Sequence, residues 1–167
     1  MWRDITMPIF VQGPYKSQVQ SWRRCVTPKP PYITDSPPKV EVEVYNTSSK
    51  MNLVKVKVTL EQIYKHLMAR IKFYNWDNRK WKFNYMIHSD DCTGSLSIFF
   101  KLLALKYDKE DCSIPIGQYI INDIDANTLD HALTNSLTYG RILNRVEVFV
   151  KAGTIFCYEF ETSVVPA

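Results

Sequence analysis

The sequence predicts an α+β domain, made mostly of antiparallel sheet with two or three packed helices and preceded by an extended proline-containing N-terminal arm. Segments with alternating apolar and polar residues indicate strands. They occur in separate groups from the segments with helical spacing, rather than as regular strand–helix–strand units. A chain of 167 residues is also long enough for one such domain with a sizeable core.

Residues 1–39 form the predicted arm, and residues 40–167 form the predicted globular domain. The arm is rich in proline and shows neither a helical nor a strand period, which favours an extended conformation. It also carries too many apolar side chains for a solvated tail. Two interpretations stay open: the arm packs on its own domain, or it docks on a neighbouring copy and mediates self-association. For docking, the expected anchors are Trp22, Pro30, Pro31 and Tyr32.

Six segments predict strands through their apolar alternation or their apolar and aromatic content. They are residues 40–45, 54–58, 81–87, 117–121, 146–150 and 155–160. The first two segments alternate valine with charged residues and are separated by a polar stretch, so they predict a hairpin. The last two predict a second hairpin around a short turn.

Three segments predict helices, namely residues 59–71, 96–105 and 125–137. The first begins with a capping box in which Thr59 and Gln62 can satisfy free backbone N–H groups. Its apolar residues follow at helical spacing. The second is a dense apolar run that fits either period, and a helix is chosen because a capping residue precedes it. In the third, Asp125 is the expected cap.

The composition excludes several classes of protein. A net charge of +4 is too small for a histone-like polycation. The sequence contains no apolar run long enough for a transmembrane helix, and its first residues lack the apolar run of a signal peptide. We therefore expect the chain to remain in the compartment where it is made. The glycines lie too far apart for a phosphate-binding loop.

The cysteines show no C-x-x-C pair and no paired histidines nearby, which excludes zinc ribbons and redox motifs. They are Cys25, Cys92, Cys112 and Cys157. Without a signal peptide, we expect them to be reduced, as in a cytosolic protein. For the same reason, the glycosylation sequon Asn46-Thr47-Ser48 is interpreted as a turn.

One segment, residues 88–94, resembles a catalytic cluster because it contains histidine, aspartate and cysteine. A catalytic histidine and cysteine normally come together from distant parts of a chain, so a polar turn is the better interpretation. A second group of acidic residues has no calcium-loop spacing and indicates a solvated face. It comprises Asp90, Asp91, Asp108, Glu110 and Asp111. We expect no enzyme activity, no cofactor and no metal.

Charge is distributed unevenly along the chain. Residues 51–106 carry ten basic and four acidic side chains, whereas residues 107–167 carry four basic and nine acidic ones. The densest basic segment, residues 72–82, mixes cations with aromatic rings, which suits the interface between water and lipid or stacking on single-stranded nucleic acid. The residues expected to contact phosphates or an anionic membrane are Lys72, Arg79, Lys80 and Lys82.

The layout resembles the matrix proteins of rhabdoviruses, of the short type found in plant-infecting members. The similar features are the arm with Pro28-Lys29-Pro30-Pro31-Tyr32, the segment 54–71, the aromatic-basic segment 81–87 and the final hairpin. The match in layout covers residues 40–160. The resemblance implies a non-enzymatic structural protein that self-associates, condenses the viral nucleocapsid and links it to the membrane during budding. It implies a location in the virion, the host cytoplasm and the inner membrane face, with the viral glycoprotein tail as a further partner.

The alternative function is a single-stranded nucleic-acid-binding or movement-type viral protein, and whether RNA is contacted directly stays open. A hydrolase with a cysteine and a histidine is the least favoured hypothesis.

Overall fold

The computed structural model describes residues 14–34, 37–90, 92, 94–102, 104–133 and 137–167. These residues form eight strands and two short helices, in the order β1 (Tyr15–Arg24), β2 (Lys39–Tyr45), β3 (Leu53–Leu60), β4 (Met68–Asp77), β5 (Lys80–Ser89), α1 (Gly94–Leu102), β6 (Gly117–Ile124), α2 (Ala126–Leu133), β7 (Gly140–Val150) and β8 (Gly153–Pro166). No helix in these ranges combines the length and the apolar character needed to cross a membrane.

The larger sheet has five antiparallel strands in the order β1-β8-β7-β4-β5. Residues two apart along a strand point to the same side of the sheet. In this sheet the residues that point inward are mostly apolar, so the inner face is apolar. In β4, for example, Ala69, Ile71 and Phe73 are buried, while Arg70 and Lys72 between them are only half-buried. These inner side chains belong to two apolar clusters that form the core.

The smaller sheet has three antiparallel strands in the order β2-β3-β6 and lies opposite the inner face of the larger sheet. Its charged residues pair across the outer surface, where Glu41 lies opposite Lys57 and Glu43 opposite Lys55. Such cross-strand pairs stabilise a hairpin modestly. The predicted hairpins at 40–58 and 146–160 are therefore confirmed as β2–β3 and β7–β8.

The predicted fold class is wrong, because the architecture is mostly β and the helices are short. The main error is the helix predicted at 59–71. In the structure, Leu60 ends β3, Ile63 is exposed in a loop and Ile71 lies within β4. A spacing of four residues, as between Leu67 and Ile71, fits one helical turn and two strand periods equally well. The two other predicted helices are confirmed in shortened form as α1 and α2.

The described part of the predicted N-terminal arm packs on its own domain. Residues 15–24 form β1, which pairs with β8 along its whole length. The alternation of buried residues in β1 includes a polar one, Ser17, between Tyr15 and Val19. This serine conceals the strand pattern in the sequence. Residues 1–13 lie outside the described part of the chain.

Two disulfides correct the expectation of reduced thiols. Cys25 is bonded to Cys157 with a Cα–Cα distance of 5.5 Å, and Cys92 is bonded to Cys112 with a distance of 5.4 Å. The first bond links the end of β1 to the middle of β8. The second links the segment before α1 to the segment before β6. Their wide spacing in sequence gave no signal for these pairings, because connectivity cannot be deduced from spacing alone.

Candidate functional site: an apolar cavity between the sheets

A cavity of about 280 Å³ lies between the inner faces of the two sheets. On the side of the smaller sheet its wall consists of Val40, Val42, Val54, Val56, Val58 and Leu60. On the opposite side lie Ala69, Ile71, Phe73, Val146, Val148 and Phe160 of the larger sheet. Both walls are thus built from the apolar side chains of strands in which apolar and polar residues alternate.

The smaller sheet does not close against the larger one. The inward-facing Val40, Val42, Val56 and Val58 are only half-buried, although they occupy the face that is fully packed in most two-sheet proteins. The backbones of β1 and β2, one from each sheet, approach each other. Elsewhere, apolar side chains on the inner faces of both sheets border the cavity.

The cavity is partly open to solvent, because the inward-facing valines of the smaller sheet are only half-buried. Its apolar walls therefore contact water. Removing apolar surface from water contributes about 25 cal/mol per Å². An apolar molecule that covers these walls would therefore stabilise the domain.

Few polar side chains reach the cavity wall, and they include Asp130, Asn144 and Thr162. The amide of Asn144 is satisfied, because its Nδ2 donates to Thr162 Oγ1 over 3.1 Å and to the carbonyl of Phe160 over 3.4 Å. Asp130, on α2, is buried, and its Oδ2 has almost no accessible surface. Burial raises the pKa of Asp130 to about 6, and the nearby hydroxyl of Ser17 and charge of His131 oppose this rise.

The basic residues that the sequence singled out lie on the β4–β5 hairpin. Arg79 and Lys80 are exposed at its turn, whereas Lys72 lies further along β4 and is half-buried. Lys82 is not free, because its Nζ lies 2.5 Å from Asp77 Oδ2. This ion pair lowers the pKa of the Asp77 carboxyl.

Aromatic side chains accompany these cations on the hairpin. Phe83 and Trp76 are exposed, and Trp81 packs edge-on against Trp76 at a ring distance of 5.0 Å. The guanidinium of Arg141 in β7 lies 4.5 Å from the centre of the Trp76 ring. The structure thus brings Arg79, Lys80 and Lys82 together with exposed aromatic rings at one end of the larger sheet, whereas Lys72 lies outside this group.

The predicted anchors for self-association contact their own domain. The backbone N–H of Thr154 donates to the carbonyl of Pro31 over 2.9 Å, and Tyr32 forms a bridge with Thr154. Pro30 is buried. Trp22 is 38% exposed and its ring lies 6.0 Å from that of Tyr158. Of the four predicted anchors, Trp22 and Pro31 are therefore the exposed ones.

The segment that resembles a catalytic cluster has structural roles. Cys92 forms a disulfide, so it offers no thiolate. The hydroxyl of Ser89 accepts a hydrogen bond from the N–H of Leu96 over 2.9 Å and thereby caps the start of α1. His88 Nε2 lies 2.6 Å from Asp90 Oδ1 at the exposed surface. Asp91 and Thr93 lie outside the described residues.

No family model matches this chain, and no curated protein matches it. The geometry of the cavity and of the hairpin is therefore the basis for assigning a function.

Sequence reasoning missed the cavity, although the apolar face of one of its two walls was visible in the sequence. The valines of residues 40–58 indicated an apolar face on the smaller sheet. The sequence did not show that this face remains half-buried, because that depends on how two separate sheets pack together. Asp130 was recognised only as one acidic residue among many in the second half of the chain.

Proposed function

We propose that this protein binds the apolar part of a small amphipathic molecule, such as a lipid acyl chain, between its two sheets. The observation that carries this proposal is the apolar cavity of about 280 Å³, which borders half-buried valines and has few polar groups on its wall. Each methylene removed from water contributes about 0.8 kcal/mol. A flexible alkyl chain is therefore a suitable occupant.

Fluorescence of a neutral apolar probe, N-phenyl-1-naphthylamine, tests this function directly. We expect saturable binding to the purified chain, and displacement by an alkyl compound such as 1-dodecanol. In Val56→Phe, the added ring enters the cavity from β3, so binding should weaken at least tenfold. Because the ring fills existing space, the unfolding free energy should not fall by more than about 1 kcal/mol.

Ile120→Phe is the matched control, because Ile120 is exposed on β6 of the same sheet and does not line the cavity. It should bind the probe as the wild type does. Equal probe binding by Val56→Phe and the wild type would place the probe elsewhere and refute the proposal.

The disulfides favour an oxidising compartment for this function, since such bonds persist in secreted, lumenal and extracellular proteins. We therefore propose that the protein acts in the lumen of the secretory pathway or outside the cell. This proposal competes with the predicted location in the host cytoplasm and at the inner membrane face, which stays a prediction.

A second candidate function is attachment to an anionic membrane through the β4–β5 hairpin. The specific observation is the exposed Arg79 and Lys80 beside Trp76 and Phe83, since cations and aromatic rings together suit the membrane interface. Membrane contact is also part of the viral matrix hypothesis. Its other parts, self-association, nucleocapsid condensation and binding of a glycoprotein tail, stay predictions.

Co-sedimentation with anionic vesicles tests the hairpin. Arg79→Ala/Lys80→Ala should bind several-fold more weakly than the wild type, and binding should fall at high salt because screening weakens the attraction. Lys55→Ala/Lys57→Ala removes the same charge from the outer face of β3 and is the control. If both double variants bind alike, net charge rather than the hairpin is responsible. Binding to single-stranded RNA but not to vesicles would favour the nucleic-acid alternative.

A further inference from the structure

The sequon Asn46-Thr47-Ser48 lies in the exposed connection between β2 and β3. Asn46 uses its Oδ1 to accept a hydrogen bond from the N–H of Asn52 over 2.9 Å, whereas a glycan attaches to Nδ2. The sequence-based reason for dismissing this sequon was that the first residues lack the apolar run of a signal peptide. The two disulfides instead favour an oxidising compartment, where N-linked glycans are added.

We infer that Asn46 is a site of N-linked glycosylation when the chain folds in the secretory pathway. In this reaction the oligosaccharide leaves a lipid pyrophosphate donor and bonds to Asn46 Nδ2, which loses a proton. The glycan would extend from the end of the β2–β3 hairpin into solvent, so no buried contact opposes it.

Expression in insect cells with an added secretion leader tests this site. The lumenal and secreted chain should migrate more slowly than the chain treated with peptide N-glycosidase F. Ser48→Ala destroys the sequon and should abolish the shift, whereas Ser49→Ala, in the same exposed connection, should retain it. A wild-type chain whose mobility does not respond to the glycosidase would overturn the inference.

Discussion

Glu159 lies at the centre of a buried ion-pair network on the outer face of the larger sheet. Its Oε1 is 3.1 Å from Arg145 Nη1, and its Oε2 is 2.8 Å from Arg23 Nη2. Arg145 also donates to the carbonyls of Thr27 and Pro28. The segment after β1 therefore covers these charges, and its carbonyls accept the hydrogen bonds that Arg145 does not donate to Glu159.

Removing one member of such a buried pair leaves the other charge uncompensated, which typically costs 3–5 kcal/mol. We expect Glu159→Gln to lower the unfolding free energy by about this amount in urea denaturation. Glu161→Gln is the control two residues away, because Glu161 and its partner Arg141 are 24% and 50% exposed. It should change stability by about 1 kcal/mol or less. Similar losses in both variants would contradict a buried network.

Asp130 should make stability depend on pH. Its pKa rises from 3.8 to about 6 in the folded protein because burial penalises the charged form. The folded state therefore binds this proton more tightly than the unfolded state. The resulting stabilisation is complete below pH ~3.8 and disappears as the pH rises through ~6. Two pKa units correspond to about 3 kcal/mol.

Asp130→Asn removes this titration, so the wild type should gain about 2.4 kcal/mol relative to the variant between pH 8 and pH 4, most of the full effect. Denaturation at several pH values measures the difference and cancels groups common to both proteins, including His131 and Asp125 nearby. A constant difference across this range would show that Asp130 has an ordinary pKa.

At the scale of elements, β1 is part of the sheet rather than a separable arm. Tyr15 and Val19 are buried on its inner face, and its pairing covers the edge of β8. Deleting residues 1–39 would also remove Cys25 and Lys39, the first residue of β2. We therefore expect the truncated chain to be unfolded or aggregated, because an exposed strand edge promotes association.

Circular dichroism and size-exclusion chromatography measure this outcome. Trp22→Ala is the control, since it removes an exposed anchor but keeps β1, and it should remain folded. A folded, monomeric truncated chain would show that the segment is a dispensable arm after all, as the docking interpretation of the sequence requires.

Sequence patterns predicted the elements whose partners are local. In residues 40–45 and 54–58, valines alternate with charged residues, and the two segments pair with each other across a short connection. Their hairpin could therefore be predicted directly from the sequence. β4 could not, because the four-residue spacing from Leu67 to Ile71 fits a helix as well as a strand. Its strand partners include β7, about seventy residues away. Pairing between strands so far apart in the sequence produces no recognisable pattern within a short segment.

The whole molecule contains the feature that sequence reasoning could least predict. The cavity lies between the apolar inner faces of two sheets that do not pack fully against each other. No single strand contains that information. The candidate site residues on the hairpin were predictable as a charge pattern, whereas the raised pKa of Asp130 depends on burial that only the folded chain provides.

Cys25 and Cys157 close a loop that spans most of the chain, with a sequence separation of 132, whereas Cys92 and Cys112 are separated by 20. If a disulfide acts mainly by restricting the unfolded chain, the longer loop contributes more. The difference is about 1.7 kcal/mol for these two lengths at 25 °C, and the absolute contributions are roughly 5 and 3 kcal/mol.

We therefore expect Cys25→Ser/Cys157→Ser to lose more stability than Cys92→Ser/Cys112→Ser in denaturation under non-reducing conditions. Mass spectrometry of the wild type should detect no alkylated cysteine before reduction and four after it. Because Cys92 is bonded to Cys112, the single substitution Cys92→Ser should also be destabilising. Four free thiols in the native protein would refute both disulfides, and with them the argument for an oxidising compartment.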